Sequence, residues 1–324
     1  MNRDARIGVV GATGAVGTVT LRLLRERGYA NVRAFASARS AGRELGGGLS
    51  VEEATADALL AGGLDLVLFS CGTSASRELV PDAVEGGALV VDKSSAYRLV
   101  DGYPLVVPEV NGARACEAIT TTRVVANPNC STIPLSCVLK PLHDAVGLRS
   151  VRVSTYQAAS GAGARPMEKL RAEPSEQHDL AFDWTWEGDE TEEESKIRAE
   201  TRKILELPVL PLSATTVRVP VLVGHSQAVW IETEEPLLPE HAEAVLAAAP
   251  GVRLVETPTP RAAAQTDQVL VGRVRPDRAA QGNGLVLFLA CDNLVKGAAL
   301  NALQIAELLL EPARTVARQR LIET

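Results

Sequence analysis

A chain of 324 residues is long enough for about two domains of ordinary size, and 46% hydrophobic against 23% charged residues is the balance of a folded protein, not of a disordered chain or a coiled coil. No uninterrupted apolar run approaches the roughly 18 residues that cross a bilayer, and no signal-peptide core precedes the first strand-like stretch, so a cytoplasmic location without a membrane partner is expected. A net charge of -7 with 3% aromatic residues argues against a phosphate-tracking, base-stacking groove, so no nucleic acid partner is expected.

Residues 7–10 form a short β-branched run, broken by Gly11-Ala12-Thr13-Gly14-Ala15-Val16-Gly17 and followed by Val19, Leu21, Leu23 and Leu24 at spacings that suit a helix to Arg27. Residues 32–37, 64–70 and 88–92 read as further buried strands separated by helical or loop segments. Strands alternating with helices imply a parallel, doubly wound sheet. After residues 124–126 the texture changes: 151–156 and 228–233 alternate apolar and polar, as half-buried strands of a partly antiparallel sheet do. The acidic segment 187–194 reads as a solvated loop leading into a helix over 192–205, and 294–310 as a long apolar-rich helix with an exposed polar tail from Glu311 onward. With no repeat and no low-complexity linker, the two domains are expected to share an interface that holds the site.

Glycines at 11, 14 and 17 between a strand and a helix let the chain turn tightly and let a pyrophosphate approach the helix N-terminus, where unpaired N–H groups and the dipole favour anions. The plain alternative is a tight turn that packs a helix on a sheet. Its position in the first strand-turn-helix favours a dinucleotide. At the end of the second strand, Ser37-Ala38-Arg39-Ser40 stands where an acid would hold a ribose 2′-hydroxyl, so hydroxyls and an arginine point to the 2′-phosphate of NADP; an exposed loop arginine is the alternative.

Asn127-Pro128-Asn129-Cys130-Ser131-Thr132 follows a strand and opens a segment, 133–145, that suits a helix. A thiol at a helix start has its thiolate favoured by the dipole and nearby N–H donors, as a nucleophile requires; a small buried hydrophobe is the other reading, and the better one for Cys71, Cys137 and Cys291. With Cys116 the cysteines number five and show no CxxC or His-rich spacing, so free thiols are expected, without a disulfide framework and without a metal site.

Seven blocks occur in order along nearly the whole chain: GATGAVG at 11–17, SARSAG at 37–42, NPNCST at 127–132, TYQAASGAG at 155–163, RVPVLVGHS at 218–226, PTPRAA at 258–263 and DNLVKGAALNALQIAE at 292–307. Together they resemble the aspartate-semialdehyde dehydrogenase family. The resemblance implies an α/β protein with a Rossmann-type parallel-sheet domain over 1–128, completed by the C-terminal helix 294–324. It implies a mixed α/β (α+β) catalytic and dimerisation domain over 129–293. The implied reaction is the NADPH-dependent reductive dephosphorylation of aspartyl phosphate to aspartate semialdehyde with release of phosphate, in lysine, threonine and methionine biosynthesis, by a homodimer or homotetramer.

Residue by residue, Cys130 matches the family's nucleophile, which forms a thioester, and Gln157 the residue that positions the acyl group, though alone it reads equally as a strand-end amide. His225 matches the acid/base histidine. A solitary histidine is more often structural, but one that titrates near neutrality within reach of a thiol suits its deprotonation and proton donation to the reacting group. Arg218, seven residues before His225, matches the arginine that pairs with the substrate carboxylate through its planar fork. Glu193 and Lys196 match a Glu-x-x-Lys element, the glutamate for the amino group and the lysine toward phosphate; a surface ion pair at i,i+3 is the competing reading. Arg98 and Asn129 match phosphate-binding positions. Gly11, Thr13, Gly14, Ala15, Val16, Ser37, Arg39 and Ser40 match cofactor contacts, and Ser160, Gly161 and Asn293 match contacts near the nicotinamide end.

Three features depart from the pattern. Lys93 stands where the family commonly has asparagine, adding a charge near the expected phosphate site; Val295 replaces the usual arginine; and Asp183-Trp184-Thr185-Trp186-Glu187 does not resemble the segment that usually precedes the Glu-x-x-Lys helix. A paralogue acting on a related acyl phosphate therefore stands as an alternative, as does a noncatalytic partner-binding paralogue. An N-acetyl-γ-glutamyl-phosphate reductase would show glycine and tyrosine flanking the nucleophile, where this chain has Asn129 and Ser131. Retention of Cys130, Gln157, Arg218 and His225 together argues against a binding role, since packing alone does not ask for that set.

Overall fold

The computed structural model describes residues 2–280 and 283–311. The polar tail expected after Glu311 lies outside the described residues. Two units divide the chain, residues up to 128 with the segment from 298 in one and 129–297 in the other.

The first unit carries a seven-stranded sheet of β1 (Ile7–Val10), β2 (Val32–Ala36), β3 (Glu44–Leu45), β4 (Leu49–Glu53), β5 (Leu66–Phe69), β6 (Leu89–Asp92) and β7 (Val124–Ala126), in the order β3-β4-β2-β1-β5-β6-β7. Its pairings are parallel apart from the short β3–β4 pair. Every residue of β1, β5 and β7 is buried, which explains why these strands read as unbroken apolar runs: helices cover both faces of a parallel sheet. Helix α1 (Ala15–Glu26) touches β1 and the helix Leu300–Leu310, and α2 (Thr73–Glu85) touches β6 and the short helix Ala56–Leu60. On the α2 side Phe35, Phe69, Leu59, Val67, Leu79 and Val90 form the core.

Gly17 lies inside the first turn of α1, not in the turn before it as the sequence suggested. A Cβ there would come within 2.1 Å of the Gly11 carbonyl oxygen, so the residue lets the helix start directly against the turn. Gly11 itself is at φ +81, a conformation that favours glycine. The expected helix over 294–310 opens as a π-turn at Val295–Ala299 before the α-helix Leu300–Leu310.

The second unit holds a mixed six-stranded sheet of β8 (Leu148–Gln157), β11 (Leu212–Arg218), β12 (His225–Thr233), β13 (Val252–Leu254), β14 (Val269–Pro276) and β15 (Gly284–Cys291), ordered β11-β8-β12-β15-β14-β13. A two-residue ribbon pairs β9 (Trp186–Glu187) with β10 (Glu190–Thr191). β8 pairs parallel with β11 and antiparallel with β12. Helices α3 (Thr132–Val146), α4 (Glu192–Leu205) and α5 (Pro239–Ala248) pack on the sheet. Burial alternates along β8 from Val151 onward and along β12 from Gln227 onward, as period-two patterning requires. Arg152, Ser154, Ser213, Thr215, Trp230 and Glu232 line an open groove of about 890 Å³.

The segment read as solvated loop is better ordered than its charge suggested. Thr191 caps α4 in a reciprocal capping box with Glu194, whose Oε1 also accepts the Thr216 N–H at 2.8 Å, and both Glu193 and Glu194 are buried. Their charge serves the helix start and its neighbours, not solvation. Among the described residues no helix is long and apolar enough to cross a membrane, and all five cysteines are free thiols.

Candidate active site

Sheet topology in the second unit gathers residues far apart in sequence. Gln157 and Arg218 end two parallel strands in register with each other, and His225 begins the strand antiparallel to β8, so three expected site residues meet at one sheet end. Cys130 lies just before α3, half-buried, with Ser131 as the helix's flanking residue. Its Sγ is 3.3 Å from Nε2 of His225.

His225 is 1% exposed, and its Nδ1 accepts the backbone N–H of Ala158 at 3.0 Å. A neutral imidazole whose Nδ1 accepts must carry its hydrogen on Nε2, the nitrogen facing the sulfur. Burial, and secondarily the positive charge of Arg218, push the ring down to about 3. The expectation of a histidine titrating near neutrality is corrected: taking the ring out of water disfavours the imidazolium, so His225 is neutral at physiological pH. It faces the thiol as a hydrogen-bond donor, and a donor to sulfur favours the thiolate.

The remaining groups form one chain of polar contacts. Glu193 Oε1 accepts from Nδ2 of Asn129 and from Nε2 of Gln157, both at 2.9 Å, and Nη1 of Arg218 donates to Gln157 Oε1 at 3.4 Å and to the Ala158 carbonyl at 3.0 Å. Glu193 is 5% exposed, so its carboxylate is held by two amides in place of water. The competing reading of a Glu193–Lys196 surface pair is not what forms: Nζ of Lys196 pairs with Glu192 at 2.9 Å, one turn away at i,i+4. Gly161 is exposed beside this cluster, and a Cβ there would meet Nη1 of Arg218 at 2.9 Å and the His225 ring at 3.0 Å. Ser160 and Asn293 are buried and bonded to each other, and Asn293 Oδ1 also accepts the Gly224 N–H.

Two supporting residues escaped the sequence reading. Glu200 is fully buried on α4 and its Oε2 accepts the Asn129 N–H at 2.7 Å; Gln227 on β12 donates through Nε2 to the Ser131 carbonyl at 2.7 Å. Both brace the backbone around Cys130. Glu200 was findable: it lies seven residues after Glu193, on the helix face that also buries Ile197, Thr201 and Ile204. Gln227 sits in an alternating strand and gives no such signal.

In the first unit, Gly14 is exposed at the start of α1, whose N-terminus has no side-chain cap and no acid in its first turn. Its N–H groups are therefore available to an anion. Thr13 Oγ1 is 3.5 Å from Ser40 Oγ, while Ser37 and Arg39 lie exposed on the turn after β2. Ala15 and Val16 are the first residues of α1. Arg98 is buried and donates to the carbonyls of Asn127 (3.0 Å) and Lys93 (2.7 Å). Nζ of Lys93 donates to Thr20 Oγ1 at 3.0 Å, and burial pushes the amine down to about 7, so near neutral pH it carries only part of the charge the sequence suggested.

Comparison with known proteins agrees across both units. Residues 6–118 match the family model for the NAD binding domain of semialdehyde dehydrogenases, and residues 139–296 match the model for their dimerisation domain. The chain is 43% identical to the aspartate-semialdehyde dehydrogenase of Corynebacterium melassecola, with 94% of this chain and 99% of that protein covered. It is 42% identical to that of Aquifex aeolicus, with 94% and 98% covered. The crystal structure of aspartate semialdehyde dehydrogenase II from Vibrio cholerae, complexed with ASA, superposes with a TM-score of 0.88 at 36% identity and covers 96% of this chain and 99% of its own.

Proposed function

This chain belongs to the aspartate-semialdehyde dehydrogenase family, and from that premise we propose that it reduces aspartyl phosphate to aspartate semialdehyde with NADPH, through a thioester on Cys130. The observation that carries the proposal is the 3.3 Å approach of Cys130 Sγ to His225 Nε2 within the Asn129, Glu193, Gln157 and Arg218 cluster.

The thiolate attacks the acyl carbon, the bond from that carbon to the phosphate oxygen breaks, and phosphate leaves with the electron pair. A thioester accepts hydride better than a carboxylate does, which is the chemical reason for the covalent step. NADPH, when bound, supplies that hydride. The Nε2–H of His225 first stabilises the thiolate; once sulfur is acylated the same N–H can donate a hydrogen bond to the carbonyl oxygen as that oxygen becomes negative, without giving up its proton. Carbon–sulfur cleavage then returns the thiolate and frees the aldehyde. Gln157 orients the acyl group, Glu193 the substrate ammonium, and Arg218 the carboxylate. We assign Lys196, Asn129 and Arg98 to phosphate recognition.

The residues present fit a dinucleotide, since the turn at Gly11–Gly14 leaves the uncapped N-terminus of α1 open to an anion. Ser37 and Arg39 are exposed, with Ser40 half-buried beside them, where a 2′-phosphate would be met, which supports NADP over NAD. The matched dimerisation domain supports a homodimer or homotetramer as the working form.

The reverse reaction tests the proposal. With aspartate semialdehyde, phosphate and NADP, the wild type is expected to produce reduced cofactor and Cys130→Ser to lose that activity by orders of magnitude. Equal rates would eliminate the covalent scheme, absence of turnover in the wild type would overturn the substrate assignment, and comparable efficiency with NAD would overturn the cofactor assignment.

A further inference from the structure

The five-residue stretch Asp183–Glu187, which departs from the family's pattern, contributes two of the groups around Arg218. Ala181 and Arg218 form an antiparallel bridge, each N–H donating to the other's carbonyl at 2.8 Å, and this fixes the segment alongside the end of β11. Two residues further on, Asp183 accepts from Nε of Arg218 at 3.2 Å through Oδ2 and from Nη2 at 3.3 Å through Oδ1. Trp184 lays its ring over the guanidinium, 4.5 Å from Cζ to the ring centroid.

The donors of Arg218 can be counted. A guanidinium has five N–H groups; Nη1 serves the Ala158 carbonyl and Gln157 Oε1, and the edge formed by Nε and Nη2 serves Asp183. That edge is one of the two geometries by which a guanidinium takes a carboxylate with two parallel hydrogen bonds. The other edge, between Nη1 and Nη2, has Nη1 already engaged by backbone and amide. A carboxylate that arrives to be held bidentately therefore needs the edge where Asp183 sits.

We propose that Asp183 competes with the substrate's carboxylate for the Nε–Nη2 edge of Arg218, so that substrate capture is an exchange of one carboxylate for another under Trp184. The inference rests on the assignment of Arg218 to the substrate carboxylate. The Asp183 side chain is 39% exposed and that of Arg218 is 12% exposed, so the aspartate can leave into solvent while the arginine stays where β11, Gln157 and Trp184 fix it. An ion pair with one exposed partner is weak, which makes the exchange feasible at ordinary substrate concentrations. Asp183 thereby tunes the affinity of this subsite: it lowers the affinity for a ligand that carries a carboxylate and leaves unchanged that of a ligand without one, which has nothing to exchange for it.

The test uses the full-length enzyme with NADP present and Asp183→Asn, which keeps the shape and removes the charge. For aspartate semialdehyde the KM is expected to fall about two- to fivefold, the range an ion pair of this exposure supports, with kcat unchanged. L-2-aminobutyrate, an unreactive probe with the same ammonium and carboxylate, is expected to bind more tightly by the same factor in calorimetric titration. The KM for 3-aminopropanal, which has no carboxylate, is expected to stay the same. A KM for aspartate semialdehyde and a dissociation constant for L-2-aminobutyrate that both stay put or rise would overturn the inference and make Asp183 a positioning residue for Arg218. Tightening of L-2-aminobutyrate in a protein whose wild type fails to turn over aspartate semialdehyde would leave the exchange standing and overturn only the substrate.

Discussion

Gly161 shows how little room the polar cluster leaves, and how much of its chemistry depends on a missing methyl group. A Cβ at this position would sit 2.9 Å from Arg218 Nη1 and 3.0 Å from His225 Nε2, inside the contact distance that real side chains show. The arginine end can shift, but the imidazole is tied through Nδ1 to Ala158 and has no slack. Gly161→Ala is therefore expected to lower kcat/KM at least about tenfold, because displacements well below 1 Å at a reacting pair carry such penalties, while the thermal midpoint stays within error. Steady-state kinetics and a thermal melt on the same preparation check it; full activity would mean that the loop relaxes freely. The same residue pair explains why a lone histidine in a sequence is hard to read. Its type suggests a group that titrates near neutrality, whereas burial makes this one a neutral donor.

At the scale of elements, α4 braces the nucleophile from a distance in sequence. Its buried face presents Glu193 to Asn129 and Gln157, and Glu200 to the Asn129 N–H, so one helix holds both the side chain and the backbone of the residue before Cys130. Glu200→Gln preserves the shape but replaces a charge-assisted bond by a neutral one. The expected loss is about 1–2 kcal/mol of stability, from the worth of hydrogen bonds to charged groups. It should come with slower alkylation of Cys130 by iodoacetamide, since the sulfur is then less well aligned. Denaturant titration and alkylation kinetics measure the two effects. An unchanged alkylation rate at reduced stability would assign Glu200 to folding alone.

For the molecule as a whole, two bases with depressed pKa values lie in different units, and their effects on stability should add because they share no partner. His225 ionises in the unfolded chain near 6.5 but in the folded one at about 3, so the unfolded state binds more protons between those values. Stability from this group is present above pH 6.5 and is lost as pH falls toward 3. Lys93 has an ordinary value of 10.5 and a folded value of about 7, so stability rises between pH 7 and 10.5 and is reduced below. Denaturant midpoints at pH 5, 7 and 9 are expected to increase in order. His225→Asn should flatten the step from 5 to 7, and Lys93→Met the step from 7 to 9. Persistence of either step in its variant would show that other groups carry it.

The strand-turn-helix at residues 7–26, the strands 64–70 and 88–92 and the helix 192–205 were legible in the sequence because each depends on local periodicity and turn chemistry. So was Cys130 at the mouth of a helix, and so was the family, since spaced motifs survive in linear order. The protonation state of His225, the brace from Glu200 and the hold of Asp183 on Arg218 were not. Each depends on which groups a mixed sheet brings side by side across 35 to 95 residues of chain, and on how much water that packing removes. Residue order determines which chemistry is present; desolvation and long-range pairing, which exist only once the chain has folded, decide the form in which each group acts.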